Sequence, residues 1–451
     1  MPSPTATRTC RLVTLGCKVN QYETQHVKET LEANGYREAR PDEPAHLCVV
    51  NTCTVTHEAD AKARQLIRQL NRSNPGAALV VMGCYATRDP EAVARLPGVV
   101  KVITDKRRLV EELREFGVTR AVRGISRFDG HQRAFVKVQD GCLLNCTFCI
   151  IPSVRPGLRS RPAAEIEEEV RRLVDAGTQE IVLTGIHLGH YGIDLSRGKP
   201  KQEWTRLWHL LDRLGRLPGA FRIRLSSLEA AEARDDLIRA IAGNPRVVPH
   251  LHLCLQSGSD RVLARMRRRY RVASFLERCR QLRRALDLPA LTTDLIVGFP
   301  GETEEDFEAT CRVARAAEFA AMHIFPFSPR RGTVAATLPD QVPPPVVAAR
   351  KARLAALAEE LTQAYLRQLV GRRLDVLVEG VLPDRPGHVT GTSCRRVPVV
   401  FPGSPALVRR RVAVRATAVV GATLAGETAD PPAGDKFPLP VLPQPLQGDF
   451  C

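Results

Sequence analysis

The stretch "DGCLLNCTFCIIP" (140–152) puts Cys142, Cys146 and Cys149 in a C-x3-C-x2-C pattern. Positions i, i+4 and i+7 share one helix face, so three packed core cysteines are one reading. Gly141 ahead, Asn145 within and Pro152 behind argue instead for a loop wrapped around one point. A structural zinc site closes with four ligands, and no fourth Cys or His lies nearby. A [4Fe–4S] cluster normally takes four thiolates; held by three, it keeps one iron open to a small molecule.

A second set is spread out. Cys17, Cys53 and Cys84 each close a strand-like run, "CRLVTLGC", "HLCVVNTC" and "ALVVMGC", before a polar turn and a helical pattern. In a parallel sheet those ends share one edge, where open α/β folds place their ligands. Three such thiols in register should converge, again without an evident fourth; chance or core packing explains one strand-end cysteine easily and three in register less readily.

The elements that must position these groups follow from periodicity. Residues 10–120 alternate strands and helices, which predicts a doubly wound parallel sheet. From residue 134 a second series begins, with strands at "AFVKVQDG", "EIVLTGI", "RIRLSSLE", "HLHLCLQSG", "LTTDLIVGF" and "MHIFPFSP". Six β/α units fit a partial (β/α)6 barrel rather than a closed eightfold one. A helix over about 345–370 follows "VPPPVV", residues 371–425 read as a small all-β barrel or sandwich, and the Pro-rich end reads as a flexible tail.

Bulk numbers set the class. A length of 451 residues argues for several domains, and the net charge of +17 favours a polyanionic partner. Thirteen cysteines without a secretion-type leader or an apolar span favour a reducing, cytoplasmic setting, with no membrane partner.

The cluster loop, with Phe148 in C-x3-C-x-aromatic-C, resembles that of radical S-adenosylmethionine enzymes. "TLGCKVNQYET", "VVNTCTVTHEAD" and "VVMGCYA" resemble the N-terminal domain of the methylthiotransferases, and "FVKVQDGC", "IVLTGIHLGHYG", "TTDLIVGFPGETEEDF" and "HIFPFSPRRGT" continue the likeness. "LGCKVNQYE" and "TGIHLGHYG" are most similar to the branch acting on threonylcarbamoyladenosine in tRNA.

The resemblance implies domains at 8–122 (with an auxiliary cluster), 128–370 (radical S-adenosylmethionine barrel) and 371–428 (a TRAM-like RNA-binding domain), with a tail over 429–451. It implies two [4Fe–4S] clusters, on Cys17/Cys53/Cys84 and Cys142/Cys146/Cys149, with S-adenosylmethionine as co-substrate. The implied reaction is a transferase one, adding a methylthio group at C2 of N6-threonylcarbamoyladenosine at position 37, in the tRNA anticodon loop. It requires a flavodoxin- or ferredoxin-type electron donor and a sulfur donor. Isopentenyladenosine tRNA or a ribosomal-protein aspartate are the alternative substrates, and a non-enzymatic Fe–S or zinc RNA-binding protein is the alternative class.

Cofactor-binding candidates at strand ends are Gly185, Gly189, Ser226, Ser227, Glu229, Gln256 and Asp294. Arg395, Arg396, Arg409, Arg410 and Arg411 are the RNA-binding candidates. His187 and His190 read as surface loop residues, and Cys48 as core. Two departures stand out: Cys254, where the family tends to have Pro, and "SVRPGLRSRP", which leaves the contacts of Arg155, Arg159 and Arg161 open.

Overall fold

The computed structural model describes residues 8–429. Ala429 apart, the predicted tail, with Cys451, lies outside the described residues. The chain divides into two compact units. The first runs to Gly177 and adds Leu183–Trp204 and Ser328–Pro339; the second holds Thr178–Val182, Thr205–Phe327 and the residues from Asp340 on.

In the first unit, β1 (Arg8–Thr14), β2 (Tyr36–Glu38), β3 (Leu47–Thr52), β4 (Ala78–Gly83) and β5 (Val99–Ile103) form a parallel sheet in the order β2-β1-β3-β4-β5. Strand alternation explains its two covered faces. Cys48, Val50, Leu79 and Val81 point one way, onto Ala63, Ile67 and Leu70 of α2 (His57–Ser73). Leu47, Val49, Val80 and Met82 point the other way, onto Val27 and Leu31 of α1 (Lys18–Glu32). The doubly wound expectation and the core role of Cys48 both hold. The three-residue β2 is an addition, too short to show periodicity.

Further along the same unit lie β6 (Ala134–Asp140), the short antiparallel β7 (Arg159–Ser160) and the end of β8 (Glu180–Gly185), within which the unit boundary falls. The second unit takes the first residues of β8, then β9 (Arg222–Leu225), β10 (Ser227–Leu228), β11 (His250–Leu253), β12 (Ala290–Val297) and β13 (Ala321–Pro326). Of these, β10 to β13 pair in parallel in that order. Each predicted barrel strand is present, and a helix at Asp235–Gly243 joins those anticipated.

The all-β segment closes into a barrel of β14 (Arg373–Val381), β15 (His388–Ser393), β16 (Pro398–Pro402), β17 (Arg411–Val420) and β18 (Thr423–Thr428). Leu374, Val376, Val399, Phe401 and Val414 fill it, and Tyr365, Leu366 and Leu369 of the helix Pro344–Leu369 join that core. Closure leaves no exposed sheet edge.

An arginine clamp fixes this barrel to β9. Arg222 donates to the carbonyls of Asp375 (2.7 Å) and Thr392 (3.0 Å). Arg224 donates to those of Cys394 (3.0 Å) and Ser393 (3.1 Å). Both guanidiniums pair with the fully buried Glu180. No helix among the described residues is long and apolar enough to cross a membrane.

Candidate functional site

Two of the distant cysteines come into register because their strands do. Thr52 pairs with Gly83 across β3 and β4, so Cys53 and Cys84, one residue on, follow adjacent strand ends. On the other side, β3 pairs with β1 up to Thr14, and Cys17 caps α1 just beyond. Gly16 and Gly83, each directly before a cysteine, hold φ of 103°, a left-handed region that disfavours any side chain. A Cβ on Gly16 would stand 2.8 Å from that of Cys53 and 3.1 Å from its sulfur, which measures how closely the loops approach. Cys17 sits at the N-terminus of α1.

Burial pushes the Cys53 thiol up, and the neighbouring Cys84 and Cys17 sulfurs push it further; the Val55 and Thr54 amides donate to it and oppose the rise. Cys53, with the Cys84 and Cys17 sulfurs near it and two backbone N–H groups donating to its own, has surroundings in which a bound cation would stabilise a thiolate. Asn20, which the sequence reading missed, ties the loops together. Its Nδ2 donates to the Leu15 and Thr52 carbonyls at 2.8 and 3.0 Å, and its Oδ1 accepts from Arg155 at 2.7 Å. Its signal was there, in "GCKVNQ".

The second trio leaves the end of β6. Gly141 has no room for a side chain, since a Cβ would collide with the Gly157 carbonyl. The Leu144 amide donates to Cys142 Sγ at 3.3 Å, and the Cys149 amide to the Cys146 carbonyl at 3.1 Å. The loop is therefore a turn around its sulfurs and not a cysteine-faced helix, which resolves the first alternative. The histidine expectation fails here. His187 and His190 are buried, with rings stacked 3.7 Å apart, and His187 Nδ1 lies 3.4 Å from Cys142 Sγ. What buries them is the tight turn after β8, which periodicity does not reveal.

Segment 328–339 touches both trios' surroundings. The buried Arg330 donates to Thr54 Oγ1 (2.8 Å) and Asp60 Oδ2 (2.6 Å), beside Cys53. The Ala335 amide donates to the Thr147 carbonyl (2.8 Å), inside the other loop.

Arg155 and Arg161 now have contacts. Arg155 is buried, with Nη1 and Nη2 on the two oxygens of Glu23 (2.8 and 2.9 Å) and Nη1 also on Asp140 (2.9 Å). Lys106 and Lys137 complete the cage around Glu23. Arg161 pairs with Glu169 at 2.5 Å, whereas Arg159 is exposed.

The Glu23 cage yields a stability prediction. Burial alone would raise the Glu23 carboxyl, but Arg155, Lys106 and Lys137 outweigh it and hold it well below the usual range. Glu23→Gln strands buried cations, at about 3–5 kcal/mol by urea unfolding at pH 7. The pKa is depressed in the folded state, so the stabilisation is present above about pH 4.3 and fades only below it. The gap between wild type and variant therefore stays constant from pH 7 to 5; a gap closing within that window contradicts the assignment.

The cofactor-binding candidates divide. Gly185 and Gly189 lie in the first unit. A Cβ on Gly185 would come 2.8 Å from Gln139 Oε1, so the glycine makes room for a side chain rather than for a ligand. Gln139 in turn receives the His187 amide (2.8 Å) and donates to the Gly141 carbonyl (2.5 Å), joining the β8 turn to the cysteine loop. Gly189 lies in a single 3₁₀ turn, Leu188–His190.

The others lie in the second unit. Ser226 is buried, and its hydroxyl has no partner among the described residues, as a ligand-binding hydroxyl would. Ser227, pointing the opposite way, is exposed. Glu229 pairs with Arg268 at 3.4 Å. Gln256 adopts φ of 66°, a strained setting for a non-glycine, with its amide on the Asp294 carbonyl (2.9 Å). Asp294 is engaged by His252 (3.2 Å) and Cys254 (3.8 Å), two partners not foreseen for it.

The basic set requires correction. Arg395 is buried, donating to the Leu288 and Asp287 carbonyls and pairing with Asp287 at 2.9 Å, so it anchors the barrel and is not an RNA contact. Arg411 is half-buried and pairs with Asp375 at 3.1 Å. Arg396, Arg409 and Arg410 are exposed. A run of arginines does not reveal which members meet a carboxylate.

Comparison with known proteins agrees with this layout. Residues 9–105 match the uncharacterized protein family UPF0004, residues 136–314 the radical SAM superfamily, and residues 367–428 the TRAM domain. The chain is 38% identical to threonylcarbamoyladenosine tRNA methylthiotransferase MtaB of Bacillus subtilis, over 89% of this chain and 92% of that one. It is 39% identical to tRNA-2-methylthio-N(6)-dimethylallyladenosine synthase of Acidothermus cellulolyticus, over 84% and 78%. Among solved structures, the radical S-adenosylmethionine methyltransferase TsrM from Kitasatospora setae is similar in fold, with TM-score 0.55 and 16% identity over 73% of this chain and 77% of that one. With its three matched regions in order and relatives 38–39% identical over 78–92% of their length, the chain belongs to the radical S-adenosylmethionine methylthiotransferases.

Proposed function

We propose that the protein transfers a methylthio group to C2 of N6-threonylcarbamoyladenosine at position 37 of cytoplasmic tRNA. The observation that carries this choice of substrate is coverage. The chain spans 92% of the threonylcarbamoyladenosine enzyme of B. subtilis but 78% of the dimethylallyladenosine enzyme of A. cellulolyticus, at nearly equal identity.

Cys142, Cys146 and Cys149 would hold one [4Fe–4S] cluster and Cys17, Cys53 and Cys84 another. With S-adenosylmethionine, such clusters supply the one-electron chemistry that an unactivated aromatic C–H bond demands. The protein's own groups prepare the sites. The Leu144 amide donates to the Cys142 sulfur and the Thr54 and Val55 amides to that of Cys53, and His187 Nδ1 stands 3.4 Å from the Cys142 sulfur. The unpaired Ser226 hydroxyl and the strained Gln256 offer polar groups to the co-substrate. The reaction requires a flavodoxin- or ferredoxin-type electron donor and a sulfur donor.

The test is nucleoside mass spectrometry of tRNA from a strain lacking its own adenosine methylthiotransferases and expressing this chain. The expected product is the 2-methylthio derivative of threonylcarbamoyladenosine. Methylthiolation of isopentenyladenosine alone would refute the choice of substrate.

On the β-barrel, Arg409 and Arg410 are exposed where phosphates can reach them. Arg409→Glu with Arg410→Glu is expected to weaken tRNA binding about tenfold or more at low salt and to flatten its salt dependence, as loss of two phosphate contacts does. Filter binding across a salt series measures both.

A further inference from the structure

Outside the cysteine trios, one cluster of three different donor types stands on the second unit's parallel sheet. His252 and Cys254 are two residues apart along β11 and its end, so their side chains leave the same face. Asp294 lies on the neighbouring strand, two residues beyond Thr292, the register partner of His252. One donor atom from each of His252, Cys254 and Asp294 lies within 4.8 Å of the other two.

The spacing is that of a coordination polyhedron. His252 Nε2 is 3.2 Å and Cys254 Sγ 3.8 Å from the same oxygen, Asp294 Oδ2. Metal bonds of about 2.0 Å to nitrogen or oxygen and about 2.3 Å to sulfur place tetrahedral ligands roughly 3.3–3.6 Å apart. Both distances to Asp294 Oδ2 are within a few tenths of an ångström of those values, and the third pair of donors lies within 4.8 Å. The outer support is also present. His252 Nδ1 is 2.9 Å from Thr292 Oγ1, so with Nδ1–H donating there, the Nε2 lone pair faces the other two donors. Directly across from Asp294, in register on β13, stands His323.

We infer that His252, Cys254 and Asp294 form a mononuclear site for a divalent metal ion, zinc by the chemistry of its donors, separate from both cysteine trios. Imidazole, thiolate and carboxylate together are the ligand set zinc accepts with three protein ligands, leaving a fourth position for an oxygen ligand such as water or a carboxylate. Binding is a proton exchange: the Cys254 S–H bond breaks, an S–Zn bond forms, and the proton goes to solvent. No electron moves.

The test uses the full chain, anaerobically reconstituted with iron and sulfide, then incubated with one equivalent of zinc sulfate and desalted. Elemental analysis is expected to find about one zinc per chain in the wild type. Cys254→Pro and His252→Gln are expected to keep the iron and lose the zinc; retained iron shows that the variants have folded. Zinc-edge X-ray absorption should show a single sulfur at about 2.3 Å, the rest of the shell being nitrogen and oxygen. A wild type that retains no zinc overturns the inference. So does zinc retained equally by both variants, or a shell with several sulfurs, which would place the ion on a cysteine trio.

Discussion

Cys149→Ser is expected to abolish methylthiolation of tRNA, to below about one-thousandth of the wild-type rate, while leaving the protein folded. A serine hydroxyl does not ionise near neutral pH, and it is the thiolate that binds iron. The loop itself does not depend on that sulfur. Its turn is closed by the Cys149 amide on the Cys146 carbonyl, and Ala335 holds the Thr147 carbonyl from outside. The loss should therefore appear in iron and activity, not in unfolding. With two [4Fe–4S] clusters, iron falls from about eight to about four per chain. Cys17→Ser should remove the other four. Cys48→Ser is the control, since Cys48 is fully buried between β-sheet and α2, where a hydroxyl costs stability but no iron. Full iron in Cys149→Ser would mean that the loop does not hold a cluster.

The second large effect lies away from the chemistry. Glu180→Gln is expected to destabilise the second unit by about 3–5 kcal/mol, since it leaves the buried Arg224 guanidinium without its carboxylate and Arg222 with Asp375 (3.2 Å) alone. Glu180 is fully buried, with Arg222 and Arg224 each about 2% exposed. Those arginines also carry four hydrogen bonds to the carbonyls of Asp375, Thr392, Ser393 and Cys394. The β-barrel is thus held by charges aligned through Glu180, and the variant should lose barrel docking together with stability. Thermal unfolding, with limited proteolysis near residue 371, measures both. An unchanged melting temperature would show that the charges are solvated and the clamp is weak.

The clamp also illustrates where sequence reasoning ends. Apolar and alternating runs identified the six principal strands of the central series, because strand patterning is local, but not the two-residue β7 or the break that separates β10 from β9. The same rule put Cys17, Cys53 and Cys84 at one sheet edge, since parallel strands connected by helices bring their ends together. The glycines before Cys17, Cys84 and Cys142 were visible as letters, although the space they vacate was not.

What a side chain meets across the fold was not legible. "RRVP" reads as a basic surface, yet Arg395 is buried on Asp287 while Arg396, its neighbour, is exposed. His187 reads as a loop residue, yet it is buried against Cys142. Asp294 reads as a ligand-binding carboxylate, and the fold gives it His252 and Cys254 as partners. The sequence by itself determined the main strands, the parallel α/β class of the series they form and the cysteines at their ends, because those depend on near-neighbour periodicity and residue chemistry. Only the tertiary structure decided which charges are neutralised and which donors converge, because both depend on contacts such as Cys254 with Asp294, 40 positions apart, and Arg330 with Thr54, 276 apart.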